Sequence, residues 1–166
     1  LHRTPGFLWS SLWRGRVQWG QVALFAALTA ILAWLVMRLT VPGQAFFLLH
    51  HQPWLLAMIW ALYPVLSALP QELVFRPLYF RRYGGILPGG AGGIVLNAAI
   101  FALAHLMYWN VIVAAMTFAG GLVFAHAYQR QRSFPQAVLL HAVAGNILFA
   151  VGLGIFFYSG NVARPF

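Results

Sequence analysis

The chain has 166 residues, 62% of them hydrophobic and 7% charged, and its 10 basic residues face a single acidic one for a formal charge of +9. Soluble domains carry roughly a quarter charged residues, so this sequence cannot cover a water-facing surface and reads as an integral membrane protein. Every basic residue is Arg, set between apolar runs where topology and anionic lipid explain it better than nucleic acid, and the lack of Cys excludes disulfides, thiolate metal sites and cysteine nucleophiles.

Residues 1–16 mix Arg3, Arg14 and Arg16 with Phe7, Leu8, Trp9, Leu12 and Trp13, which predicts an interfacial segment on the membrane or, almost equally, a loose basic tail. No cleavable signal peptide is expected in 1–18, which has no continuous apolar core. A first span is predicted over 17–39, long enough for a hydrocarbon layer of about 30 Å. Pro42 and Gly43 break it, and 45–53 reads as a short aromatic connection whose His50 and His51 are interfacial. The second span runs from 54 to 83 through Pro64 and Pro70, whose missing N–H groups imply kinks and freed carbonyls. Residues 84–93 (GGILPGGAGG) read as a glycine-rich hairpin; they lack the Lys and Ser/Thr of a phosphate loop.

A third span over 94–108 carries Asn97, Phe101 and His105 at four-residue spacing, hence on one stripe. The fourth, 111–128, contains Gly120 and Gly121 for close packing, places His126 near the boundary, and ends in a basic turn. The fifth begins at 133–135, carries His141, Gly145 and Asn146, and runs to 158. The expected fold class is all-α: a polytopic helical bundle of about five transmembrane helices plus the N-terminal segment, one domain over 1–166 with its core at 55–158. An N-terminus inside puts Arg3, Arg14, Arg16, Arg81, Arg82, Arg130 and Arg132 on the cytoplasmic side and only Arg38 and Arg164 outside, as the positive-inside rule prefers.

The chemistry concentrates in 70–82, PQELVFRPLYFRR, which holds Glu72, the only acidic residue of the chain. An ionisable group at membrane depth marks a functional site or a necessary ion pair, and Arg76, four residues on, shares its helix face. Taking about 1.5 Å per residue, Glu72 lies roughly 14 Å, His141 roughly 9 Å and His105 roughly 17 Å into the layer, so the three have overlapping depths. A carboxylate and two imidazoles in a dry cavity suit hydrolysis, with the carboxylate taking a proton from water and an imidazole and an amide stabilising an oxyanion. Two His and one Glu also suit zinc, at Glu72, His105 and His141, but HExxH is absent and the three come from separate helices, so no cofactor is the preferred expectation. Asn97 reads as interhelical glue and Phe101 as packing.

Four stretches resemble the CPBP membrane proteins, which include the CAAX prenyl endopeptidases and the Abi bacteriocin self-immunity proteins. The family's EExxxR appears as Gln71-Glu72-Leu73-Val74-Phe75-Arg76, its FxxxH as Phe101-Ala102-Leu103-Ala104-His105, and its HxxxN as His141-Ala142-Val143-Ala144-Gly145 with Asn146 one place late. Between the last two, 120–141 has the family's small-residue helix, basic turn and return to His.

The resemblance implies an intramembrane endopeptidase of the glutamic type. In it the first Glu of the pair activates water, helped by the first His; the second His and the Asn form the oxyanion hole, and the second Glu and the Arg are structural. The site residues so implied are Gln71, Glu72, His105, His141 and Asn146, with Arg76 as ion-pair partner. Two departures matter. Gln71 has no basicity at the catalytic position, and Asn146 points about 100° from the expected direction on an ideal helix.

Three readings of Gln71 stand: Glu72 takes over as base, the site is a structural ion pair, or Gln71 is an isosteric replacement of a catalytic Glu. The implied activity is cleavage of a membrane-anchored peptide or protein substrate. The alternative is a non-catalytic relative acting as immunity factor, assembly factor or subunit of a membrane complex. The expected setting is membrane lipid, in the bacterial cytoplasmic (inner) membrane, with no nucleic acid partner.

Overall fold

The computed structural model describes residues 7–158 and 160, and the fold is all-helical among them. Five helices are long and apolar enough to cross a membrane: α1 Trp19–Thr40, α2 Pro53–Tyr83, α3 Gly90–Leu103 (carried on by a 3-10 turn to Tyr108), α4 Val111–Gln129 and α5 Phe134–Val151. At about 1.5 Å per residue, α1 is roughly 33 Å long, enough to span the hydrocarbon layer. The protein is an integral membrane helical bundle, with five spanning helices among the described residues.

Sequence signals set the helix ends. Asn110 caps α4 with Oδ1, which accepts from the N–H groups of Ile112 at 2.8 Å and Val113 at 3.2 Å. Ser133 caps α5 by accepting from Gln136 N–H, with Pro135 in the first turn where its missing N–H costs nothing. α5 stops at Gly152, whose φ of +109° closes the helix in the left-handed region. The fifth span is therefore shorter than the sequence predicts, since 153–157 turn back as a 3-10 segment that buries Leu153 against Met37 and Ala33. A Cβ at Gly152 would meet Gln44 O and Met37 Cε as well as the backbone strain. Gly152→Ala is expected to destabilise the fold by at least about 1–2 kcal/mol, read as a lowered unfolding temperature in detergent.

α5 is the most buried helix and packs on α1, α2 and α4, while α3 packs chiefly on α4. The glycine-rich stretch is less of a hairpin than expected. Its last four residues, from Gly90, already form the first turn of α3, and Gly93 is buried there. Helix propensity is the weaker force where close packing rewards small residues. The connection after α1 forms a short helix, Phe47–His51, stitched to the end of α5 by Phe46 N–H donating to Val151 O at 2.9 Å. His50 and His51 are exposed there, and His126 is exposed on α4.

The N-terminal segment differs from a helix lying free on lipid. Phe7 and Leu12 are buried against Phe134, and the Arg81 guanidinium stands 5.1 Å over the Phe7 ring. Trp9 and Trp13 remain exposed, so the segment clasps the bundle with one face and turns its tryptophans outward. Ser133 Oγ donates to Arg16 O, and Gln18 N–H donates to the buried Gln136 side chain, which ties this clasp to the start of α5. The expectations attached to Arg3 and Arg164 lie outside the described residues.

Candidate active site

α2 positions the site because it is not a uniform helix. It widens into π turns over Pro64–Ala68 and Val74–Leu78, beside Pro64, Pro70 and Pro77. A π turn bonds each N–H five residues back, so it carries more residues per turn and brings residues four apart into line. Two stripes result. Ala68, Glu72 and Arg76 are each 0% exposed and face the protein interior, whereas Tyr63, Ser67 and Gln71 line a cavity.

The widened turns also free carbonyls, and two asparagines take them. Tyr79 N–H bonds to Val74 O, five back, which leaves Phe75 O to accept from Asn97 Nδ2 at 2.8 Å. Pro64 has no N–H for Trp60 O, which accepts instead from Asn146 Nδ2 at 3.3 Å. Trp60 Nε1 donates back to Asn146 O at 3.0 Å, which makes a two-way clamp between α2 and α5.

The buried stripe carries a charge network. Arg76 Nε donates to Glu72 Oε2 at 2.8 Å and its Nη2 to Oε1 at 3.3 Å, a two-pronged ion pair away from water. Arg76 Nη1 donates to Asn97 Oδ1, and the guanidinium lies 5.3 Å over the Phe101 ring and 5.9 Å over that of Phe124. His141 Nδ1 stands 3.0 Å from Glu72 Oε1. A carboxylate paired with Arg only accepts, so Nδ1 carries the proton of that contact, and Nε2 is the acceptor for the Tyr63 hydroxyl at 3.2 Å. The His141 ring stacks on Phe124 at 4.9 Å and meets the edge of Phe101 at 5.5 Å.

The cavity, about 450 Å³, lies among α1, α2, the end of α3, α4 and α5 and is mostly apolar, with Tyr63, Ser67, Gln71, His105, Tyr108, Thr117, His141 and Thr29 as its polar lining. Gln71 Nε2 donates to Ser67 Oγ at 2.9 Å, and its Oε1 has no partner among the described residues. His105 sits where α3 unwinds, and its Nδ1 donates to Phe101 O at 2.8 Å, which leaves Nε2 with a free lone pair. Phe101 touches both imidazole rings, at 4.7 Å from His105.

The sequence-predicted residues therefore divide. Gln71, His105 and His141 come together at the cavity. Glu72 and Arg76 stand behind it, and Glu72 is absent from the lining. Asn146 is turned to Trp60, and Gly145 is the residue of that pair that faces the cavity. Among the described residues no three His, Asp or Glu side chains form a metal-binding group; both Glu72 oxygens are already engaged by Arg76 and His141. Tyr63 and Ser67 were not singled out from sequence, although their four-residue steps to Gln71 were a usable signal.

A family model described as type II CAAX prenyl endopeptidase, Rce1-like, matches residues 52–147, more than half of the chain. The chain belongs to this family. No curated protein and no solved structure matches it. The Rce1-like match runs from the start of α2 into α5, so it covers the stretch that contributes Tyr63, Ser67, Gln71, His105 and His141. Within the Rce1-like fold, the two positions of the acidic motif face different ways here: the first, Gln71, lines the cavity, and the second, Glu72, belongs to the ion pair.

Proposed function

We propose that the cavity is the substrate site of an intramembrane endopeptidase of the glutamic type, in a form whose hydrolytic step is held back by Gln71. The observation that carries this reading is the direction of Gln71: it lines the same cavity as His105, while the only carboxylate is committed to Arg76. A carboxamide orients water but does not take its proton. His105 Nε2 offers a lone pair to a water in this space, and the Gln71 side chain lines the same cavity. The reading needs no resident cofactor.

The ligand is a membrane-presented peptide or protein tail. The apolar walls suit hydrophobic side chains, and the polar cluster suits one peptide group. We place the protein in a bacterial cytoplasmic membrane with its N-terminus inside, as the Arg distribution favours: Arg16, Arg81, Arg82, Arg130 and Arg132 flank one set of helix ends and Arg38 the other.

A second reading, a non-catalytic membrane protein that uses the same cavity as an immunity factor, assembly factor or complex subunit, is favoured by Gly145 in place of the motif's Asn. The test is a paired cleavage assay in lipid with a membrane-peptide library, read by mass spectrometry. The first reading expects products only from Gln71→Glu, lost again with His105→Ala. Silence from both proteins supports the second. Cleavage by the chain as it stands, abolished by Glu72→Gln, would overturn the assignment of Gln71.

A further inference from the structure

Gly145 and Tyr63 form a matched pair across α5 and α2. A Cβ built on Gly145 would run into the Tyr63 ring and its hydroxyl, so no side chain fits at 145 while Tyr63 stands there. The phenol takes the space that a residue at 145 would use. Its ring is held by edge contacts with Phe149 at 5.7 Å and His141 at 6.1 Å, and its hydroxyl lies 3.2 Å from His141 Nε2.

We propose that Tyr63 is the hydrogen-bond donor for the ligand's carbonyl oxygen in this cavity, in the place left without an amide at Gly145. This deepens the peptide-site reading above and rests on it. The chain of contacts runs Arg76, Glu72, His141, Tyr63, and ends at the cavity wall. With Nδ1 turned to Glu72, the Nε2 of a neutral His141 accepts from the phenol hydroxyl. When a carbonyl or an anionic tetrahedral oxygen enters, the hydroxyl rotates and donates to it. The Glu72 contact keeps the imidazole in the tautomer that leaves Nε2 as acceptor, so His141 does not compete as donor in the resting state. A charge-assisted bond is the stronger one, so the preference is for an anionic oxygen over a neutral carbonyl.

The test uses the whole chain in lipid nanodiscs and two probes, a hydrophobic peptide phosphonate and the amide peptide of the same sequence, with affinities measured by calorimetry. Tyr63→Phe keeps the ring against Gly145 and removes only the donor. It is expected to weaken the phosphonate about ten- to a hundredfold and the amide distinctly less. Tyr63→Gly with Gly145→Asn puts an amide into the vacated space, and is expected to restore part of the phosphonate preference. Equal affinities of the parent and Tyr63→Phe for the phosphonate would overturn the assignment, as would an equal loss for both probes, which marks a packing effect. If neither probe binds the parent chain, the peptide-site reading itself falls and this one with it. Should the double variant not fold, Tyr63→Phe alone decides.

Discussion

Glu72→Gln is expected to cost about 3–5 kcal/mol of stability, because it leaves the Arg76 charge buried without its counter-charge. The substitution is close to isosteric, so packing is not what fails. Both residues are fully buried, and the guanidinium has no path to water. Asn97 Oδ1 and the faces of Phe101 and Phe124 are partial dipoles that offset only part of a full charge. Arg76→Leu should be milder, since an orphaned carboxylate neutralises itself by taking a proton and keeps His141 as a partner, whereas a guanidinium does not deprotonate. Glu72→Leu with Arg76→Leu should recover most of the loss, as two uncharged groups replace a balanced pair. Thermal unfolding of the three proteins in one detergent orders them. An unfolding temperature for Glu72→Gln within a degree or two of the parent would remove the pair from the list of what holds α2 in place.

Much of this was legible in the sequence. A lone Glu four residues before an Arg in an apolar run announces a buried pair, because only a shared helix face makes it tolerable. The five spans were legible from length and apolarity. What was hidden is angular. Whether Gln71 or Glu72 faces the cavity depends on the rotation of α2, and two π turns add residues to its turns without changing the order of residues. Its place on α5, one residue past the motif position, turns Asn146 to the Trp60 carbonyl that Pro64 leaves without a donor, so a residue that fits the catalytic motif by identity serves the backbone instead. The clasp of Phe7 and Leu12 on Phe134 was hidden for another reason: it pairs residues more than 120 apart, and no local pattern reports such contacts.

Gln71→Glu is expected to raise cleavage of a membrane peptide by about 10²- to 10⁴-fold, the range of a positioned general base. The exchange is sterically free and its hydrogen bonding is already prepared. Gln71 Nε2 now donates to Ser67 Oγ at 2.9 Å; a carboxylate in the same place accepts from the Ser67 hydroxyl, which only has to rotate. Oε1 is buried and has no partner among the described residues, so a small turn of the side chain at 71 is what brings a carboxylate oxygen to the cavity water. His105 Nε2, bare because Nδ1 is held by Phe101 O, then shares the proton, and His105→Ala in the Gln71→Glu protein should return the rate to background. The single-turnover rate over background for each peptide is the measurement. If Gln71→Glu binds the peptide phosphonate and still does not cut, base and binding are both present and the single Tyr63 donor falls short of what the oxyanion needs. Adding Tyr63→Gly and Gly145→Asn to Gln71→Glu then separates a site short of one donor from a fold that only binds.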